Sequence, residues 1–101
     1  MGILDALFGP KVNFKELKNK GAIIVDVRTA AEYREGHIKG SLNIPLDRLS
    51  AEVEKLGKKN APIITCCRSG ARSGSALGIL KQAGIECYNG GPWNVLESQI
   101  K

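Results

Sequence analysis

Two cysteines, two arginines and a glycine share one short stretch, Cys66-Cys67-Arg68-Ser69-Gly70-Ala71-Arg72-Ser73. A cysteine attacks as its thiolate, and a free thiol with a pKa near ~8.5 is only about 3% ionised at pH 7. Each unit by which that pKa falls needs about 1.4 kcal/mol, and a helix end or a nearby cation supplies roughly 0.3 to 2 kcal/mol. Two or three such contributions make much of the thiol nucleophilic. The stretch offers them. The amides of Arg68, Ser69, Gly70, Ala71, Arg72 and Ser73 can curl around a sulfur, Gly70 can take the positive φ that such a curl needs, and Arg68 and Arg72 add two permanent charges. The chemistry indicated is an activated thiolate at Cys67 and an anion delivered to it.

The flanking elements have to hold that geometry. Ala61-Pro62-Ile63-Ile64-Thr65 reads as a buried strand, and Ala76, Leu77 and Leu80 recur at helical spacing, so the thiol sits where a strand hands over to a helix. That helix is expected over about 73–83, with Gly74 and Gly78 letting it approach the sheet and Gly84 as its cap. Ala22 to Val27 is a second apolar run of the kind found in central parallel strands. Thr29-Ala30-Ala31-Glu32 spells a capping box for a helix that stops by Gly36. His37 to Pro45 reads as a turn feeding a short strand that Pro45 ends, residues 85–88 as another short strand, and Asn89-Gly90-Gly91-Pro92 as a turn. Asn13 to Leu17, Leu46 to Leu56 and Trp93 to Ile100 carry helical periodicity; Gly21 closes the first, and Gly57 closes the second, as one helix or a pair. The alternation predicts an α/β fold, a small parallel sheet of about five strands with helices on both faces. Sites in such sheets lie beyond the carboxyl ends of the strands, where the Cys67 loop and Asp26-Val27-Arg28 both fall.

With 101 residues, 43% of them hydrophobic, the chain fits a single domain over residues 1–101, with residues 1–10 a short N-terminal segment in which residues 3–8 read as packing rather than as a membrane anchor. Fifteen basic and ten acidic residues give a net charge of +5, but the charges are scattered and the longest basic pair is Lys58-Lys59. That favours small anions or an acidic protein surface over nucleic acid. Three cysteines without metal-like spacing argue against zinc and against a disulfide framework, and a free thiol fits a reducing cytoplasm. The first ten residues have no basic leader and break at Gly9-Pro10, and no run approaches membrane-spanning length, so neither a secretory signal nor a membrane partner is expected. No metal or organic cofactor is implied.

At this point the chain resembles a single-domain rhodanese-like sulfurtransferase. The segment from Asp26-Val27-Arg28 through Glu32-Tyr33 and Gly36-His37-Ile38 to Asn43-Ile44-Pro45 resembles the signature that precedes the family's active site. Cys67-Arg68-Ser69-Gly70-Ala71-Arg72-Ser73 resembles its active-site loop, and Gly90-Gly91 with Trp93 its closing motif. The resemblance implies that Cys67 carries a persulfide, that the loop amides and Arg72 hold the anion and that Arg68 draws substrate in. It implies a small anionic sulfur donor such as thiosulfate and a thiol or cyanide acceptor, including a thioredoxin-like or sulfur-carrier protein. Sulfite leaves as a stable anion without a proton donor, and the loop has no carboxylate or histidine. Cysteine phosphatases and arsenate reductases of related fold place one residue more between cysteine and arginine, and a smaller ring of amides suits one persulfide sulfur better than a tetrahedral oxyanion. A persulfide carrier or docking module uses the same cysteine and stands as a further alternative.

Two departures from the family pattern concern Cys66, where many relatives carry an aromatic or aliphatic residue, and Trp93, which follows Gly91 more closely than usual. Cys66 reads as a core filler on the face opposite Cys67, with a redox role as the alternative. Asp26 and Arg28 are expected to pair with nearby backbone or Glu32, with Arg28 a secondary candidate to face substrate. His37, in a turn, reads as scaffold, and Cys87 as packing.

Overall fold

The computed structural model describes residues 12–101; the expected packing segment at residues 3–8 lies outside them. In chain order the elements are α1 (Phe14–Asn19), β1 (Ile23–Asp26), α2 (Ala30–Glu35), β2 (Leu42–Asn43), α3 (Leu46–Lys58), β3 (Ile63–Cys67), α4 (Ala71–Gln82), β4 (Cys87–Pro92) and α5 (Trp93–Ile100). The strands form one wholly parallel sheet in the order β2-β1-β3-β4. The described residues hold four strands rather than about five, because every segment between these four is taken up by a helix or a short loop.

Alternation along the central strands divides the core in two. Val25, Val27, Ile63 and Cys67 point to one face, where Leu49 and Leu56 of α3 and Ala76 and Leu80 of α4 cover them. Ile24, Ile64 and Cys66 point to the other, against Leu96, Trp93 and Ile100 of α5 and Phe14 and Leu17 of α1. Helices therefore cover both faces, as a parallel sheet requires. Chain connections leave β1 and β3 in opposite directions across the sheet, which makes the crevice at their carboxyl ends the switch point where such folds place their ligands.

Local signals account for most element ends. Thr29 caps α2 through its side chain to the Glu32 N–H while Glu32 returns a bond to the Thr29 N–H, so the capping box is complete. Gly21 and Gly84 take positive φ, and the residues after them, Ala22 and Ile85, bond back to the Leu17 and Leu80 carbonyls, closing α1 and α4. Four points differ from the sequence reading. The stretch from Leu46 is a single helix that runs through Gly57 to Lys58 and ends with Asn60 at φ +54°. Gly78 of α4 faces open space, and only Gly74 makes a close approach, to Asn89. The expected turn over 89–92 is the end of β4, which pairs Thr65 with Asn89 and Cys67 with Pro92 and so carries one extra residue as a bulge. Gly90 permits this: a Cβ there would stand 2.8 Å from the Thr65 carbonyl oxygen and from Leu96 Cδ2. The fourth is the start of α4, two residues earlier than expected, and its cause lies in the site.

Candidate active site

Cys67 is the last residue of β3, and Gly70, at φ +98°, is the N-cap of α4. Glycine has no side chain with which to cap a helix, so the first-turn amides need another acceptor. Cys67 Sγ is that acceptor. It receives the Gly70 N–H at 3.0 Å and the N–H of Ser73, the third helical residue, at 3.4 Å. This tertiary capping starts the helix at Ala71 and aims its positive end at the sulfur. The Ser73 hydroxyl completes the cradle at 3.3 Å from Sγ.

Burial works against ionising Cys67, which is 1% exposed, but the Ser73 side chain and the amides of Ser73, Gly70 and Ser69 outweigh it and hold the thiol below its ordinary value. Cys66 behaves oppositely. It is fully buried on the other sheet face, and burial first, then the Asp26 charge, pushes its thiol far up. The two adjacent thiols are thus driven in opposite directions, Cys67 down and Cys66 up.

The arginines divide their work differently from expectation. Arg72 does not point its guanidinium at the sulfur: Nη1 and Nη2 donate to the two carboxylate oxygens of Glu32 at 2.7 and 3.0 Å, and the pair holds the Glu32 carboxyl down at about 2. Its charge acts on the loop through space from that fixed position. Arg28 is turned inward on its neighbours. It is 4% exposed, grips Asp26 with Nε and Nη2, donates to the carbonyls of Glu32 and Gly36, and lies 5.0 Å from the centre of the Trp93 ring. Asp26 and Arg28 take each other as partners, and Glu32 turns to Arg72. Arg68 and Ser69 are exposed at the rim, and Ala71 is exposed on the first turn of α4.

The long segment between β1 and β2 is scaffold. The Tyr33 hydroxyl donates to the Ser41 carbonyl at 2.7 Å, His37 stacks on Tyr33 with Nδ1 2.7 Å from the Tyr33 carbonyl, and Asn43 Nδ2 donates to the carbonyls of Asp26 and Arg28. Gly36 leaves room for Trp93, whose ring would lie 3.2 Å from a Cβ there. Two features escaped the sequence reading. The Glu32–Arg72 pair joins residues far apart in the chain, and Asn89 binds the loop from β4; its one sequence signal is a polar residue just before Gly90-Gly91.

Comparison with known proteins places the chain in a family. The family model described as "Rhodanese-like domain" matches residues 12–92, and the chain belongs to that family. Among curated relatives, the uncharacterized protein YqhL of Bacillus subtilis is 36% identical over 69 residues, which are 67% of this chain and 54% of that protein. Thiosulfate sulfurtransferase PspE of Escherichia coli is 33% identical over 61 residues, 59% of each chain. The chain thus spans little more than half the length of these two relatives. Thiosulfate sulfurtransferase GlpE of Pseudomonas fluorescens is 31% identical over 76 residues, 75% of this chain and 69% of that one. Of the solved structures, a rhodanese with anions from E. coli superposes with a TM-score of 0.68 at 28% identity, over 74% of this chain and 91% of that one.

Proposed function

We propose that this domain is a sulfurtransferase that carries sulfane sulfur on Cys67. The observation that carries the reading is the cradle: a strand-end sulfur, its thiol held below the ordinary value, facing the N–H groups of Gly70 and Ser73 at a helix start. In the first step the Cys67 thiolate attacks the outer sulfur of thiosulfate or a similar anionic donor. The new bond is Sγ–S, the donor's S–S bond breaks, and sulfite leaves with its electron pair. The persulfide left on Cys67 is anionic at its outer sulfur, and the loop amides and the charge of Arg72 favour it there. Arg68, exposed at the rim, attracts the donor. In the second step cyanide or a thiolate attacks the outer sulfur and returns Cys67 as a thiolate; a thioredoxin-like or sulfur-carrier protein is the macromolecular form of that acceptor. A reducing cytoplasm suits a free thiol of this kind.

Among the described residues the hydrogen-bond partners of Sγ are Gly70 and Ser73, with no carboxylate or imidazole. Sulfite needs no proton as it leaves, whereas an alkoxide leaving from a phosphate ester does, so the site favours sulfur transfer over phosphatase chemistry. A second reading, a persulfide carrier with a dedicated protein donor, draws support from a relative named putative sulfur carrier protein YrkF of B. subtilis, 35% identical over 79 residues. The test is thiocyanate formation from thiosulfate and cyanide. The enzyme reading expects turnover that Cys67→Ser abolishes; turnover at the wild-type rate in Cys67→Ser would sink it, and absence of turnover with persulfide loading from a protein donor would select the carrier.

A further inference from the structure

Asn89 stands between the sulfur cradle and β4 with both ends of its amide committed. Oδ1 accepts the Gly91 N–H at 2.9 Å, and Nδ2 donates to the Gly70 carbonyl at 3.2 Å. Turning the amide over would set its NH2 against an N–H and its oxygen against a carbonyl, so its orientation is fixed. Oδ1 therefore faces Ser73 Oγ at 2.7 Å, and the single proton between two oxygens has to come from the Ser73 hydroxyl. The contact has room made for it: Gly74 lacks the Cβ that would stand 3.3 Å from Nδ2.

Ser73 is fully buried and has one hydroxyl proton, yet its Oγ has two neighbours, Asn89 Oδ1 and Cys67 Sγ at 3.3 Å. With the proton on Asn89, Oγ turns a lone pair to Sγ. That suits a thiol, whose S–H then donates to Oγ, and opposes a thiolate, which has no proton to offer. We propose that Asn89 is a positioning residue acting through Ser73: it holds the hydroxyl proton while Cys67 is a thiol, releases it to Sγ when Cys67 ionises, and so sets the pH at which the nucleophile becomes available. On ionisation the thiol proton goes to solvent, the Ser73 O–H bond to Oδ1 breaks, an O–H to S⁻ bond forms, and Oδ1 keeps the Gly91 N–H. The role in turnover rests on Cys67 being the sulfur-transfer nucleophile, but ionisation is measurable without any sulfur donor.

The other charged or titratable groups at the cradle's end of the sheet are Arg72 of α4 with Glu32 of α2, Arg68 of the loop, Cys66 of β3 with Asp26 and Arg28 at the end of β1 on the other sheet face, and Asp47 and Arg48 at the start of α3, while Glu86, Cys87 and Tyr88 lie toward the far end of β4. The variants below leave all of them in place. The experiment is iodoacetamide alkylation followed against pH, read on the peptide that holds Cys67. Asn89→Ala frees the Ser73 proton for the thiolate, so the midpoint moves to lower pH and alkylation below it speeds up by about three- to tenfold. Asn89→Asp, a stronger acceptor, moves the midpoint to higher pH. In a Ser73→Ala background Asn89→Ala no longer lowers it, and the rise from Asn89→Asp shrinks. Unmoved midpoints, shifts of the same sign in both variants, or effects undiminished by Ser73→Ala overturn the proposal. Should Asn89→Ala fail to fold, the near-isosteric Asn89→Asp with and without Ser73 decides alone. Opposite shifts in a protein that loads no sulfur would leave this device standing and remove the sulfur-transfer reading instead.

Discussion

Replacing Gly70 with alanine separates two duties of one residue. Its φ of +98° belongs to the region that side chains avoid, and a Cβ there would stand 3.6 Å from Gly91 Cα, an ordinary contact. The cost is therefore conformational, about 1 to 2 kcal/mol, which in a domain of this size lowers the melting temperature by roughly 4 to 16 °C. Relaxing the strained φ swings the Gly70 N–H away from Sγ, now 3.0 Å distant. A hydrogen bond to a charged acceptor contributes about 1.5 to 3 kcal/mol, so losing it lowers the thiolate population at neutral pH, and with it the Cys67 alkylation rate, by about tenfold or more. Gly40 supplies the control, with φ +85° and nothing within 4 Å of a Cβ. Gly40→Ala should cost similar thermal stability and leave alkylation unchanged. Gly70→Ala with wild-type melting and wild-type alkylation would refute the reasoning, as would Gly40→Ala slowing alkylation equally.

Removing Arg28 leaves Asp26, which is fully buried, without its ion partner, and Arg28→Ala should destabilise the domain by roughly 3 to 5 kcal/mol in urea unfolding. A loss under about 1 kcal/mol would show that the pair does not hold the sheet edge. For Glu32 the folded carboxyl lies at about 2 against an ordinary 4.5, chiefly through its bond to Arg72. Its contribution is thus present above pH 4.5 and fades as pH falls toward 2, and because the pair is partly exposed it amounts to about 1 kcal/mol or less. Glu32→Gln should flatten the fall of stability with acidification in that window; urea midpoints that fall just as steeply in the variant would contradict it.

Features fixed by neighbours in the chain are legible in the sequence itself. Thr29 and Glu32 state their capping box in four letters, Pro62 opens a strand whose next five residues are buried, and the adjacency of Cys66 and Cys67 alone sends them to opposite faces. The Cys67 loop was legible because its residue types have few other uses together. What the chain hid was set by contacts across the fold. The start of α4 at Ala71 depends on a sulfur acting as the cap, and β4 continues through Gly90-Gly91 only because Thr65 and Cys67 supply its pairing partners. Arg72 reads as an anion ligand until Glu32 arrives from α2, and Asn89 reads as a turn residue until Ser73 and Gly70 face it.

The persulfide itself can be weighed. Intact mass should be recorded for the wild type and for Cys67→Ser, before and after thiosulfate and then after cyanide. The wild type should gain one sulfur atom, Cys67→Ser should gain none, and cyanide should return the wild type to its starting mass. A Cys67→Ser protein that takes up as much sulfur as the wild type would contradict sulfur transfer through Cys67, and a wild type that takes up none would contradict thiosulfate as its donor.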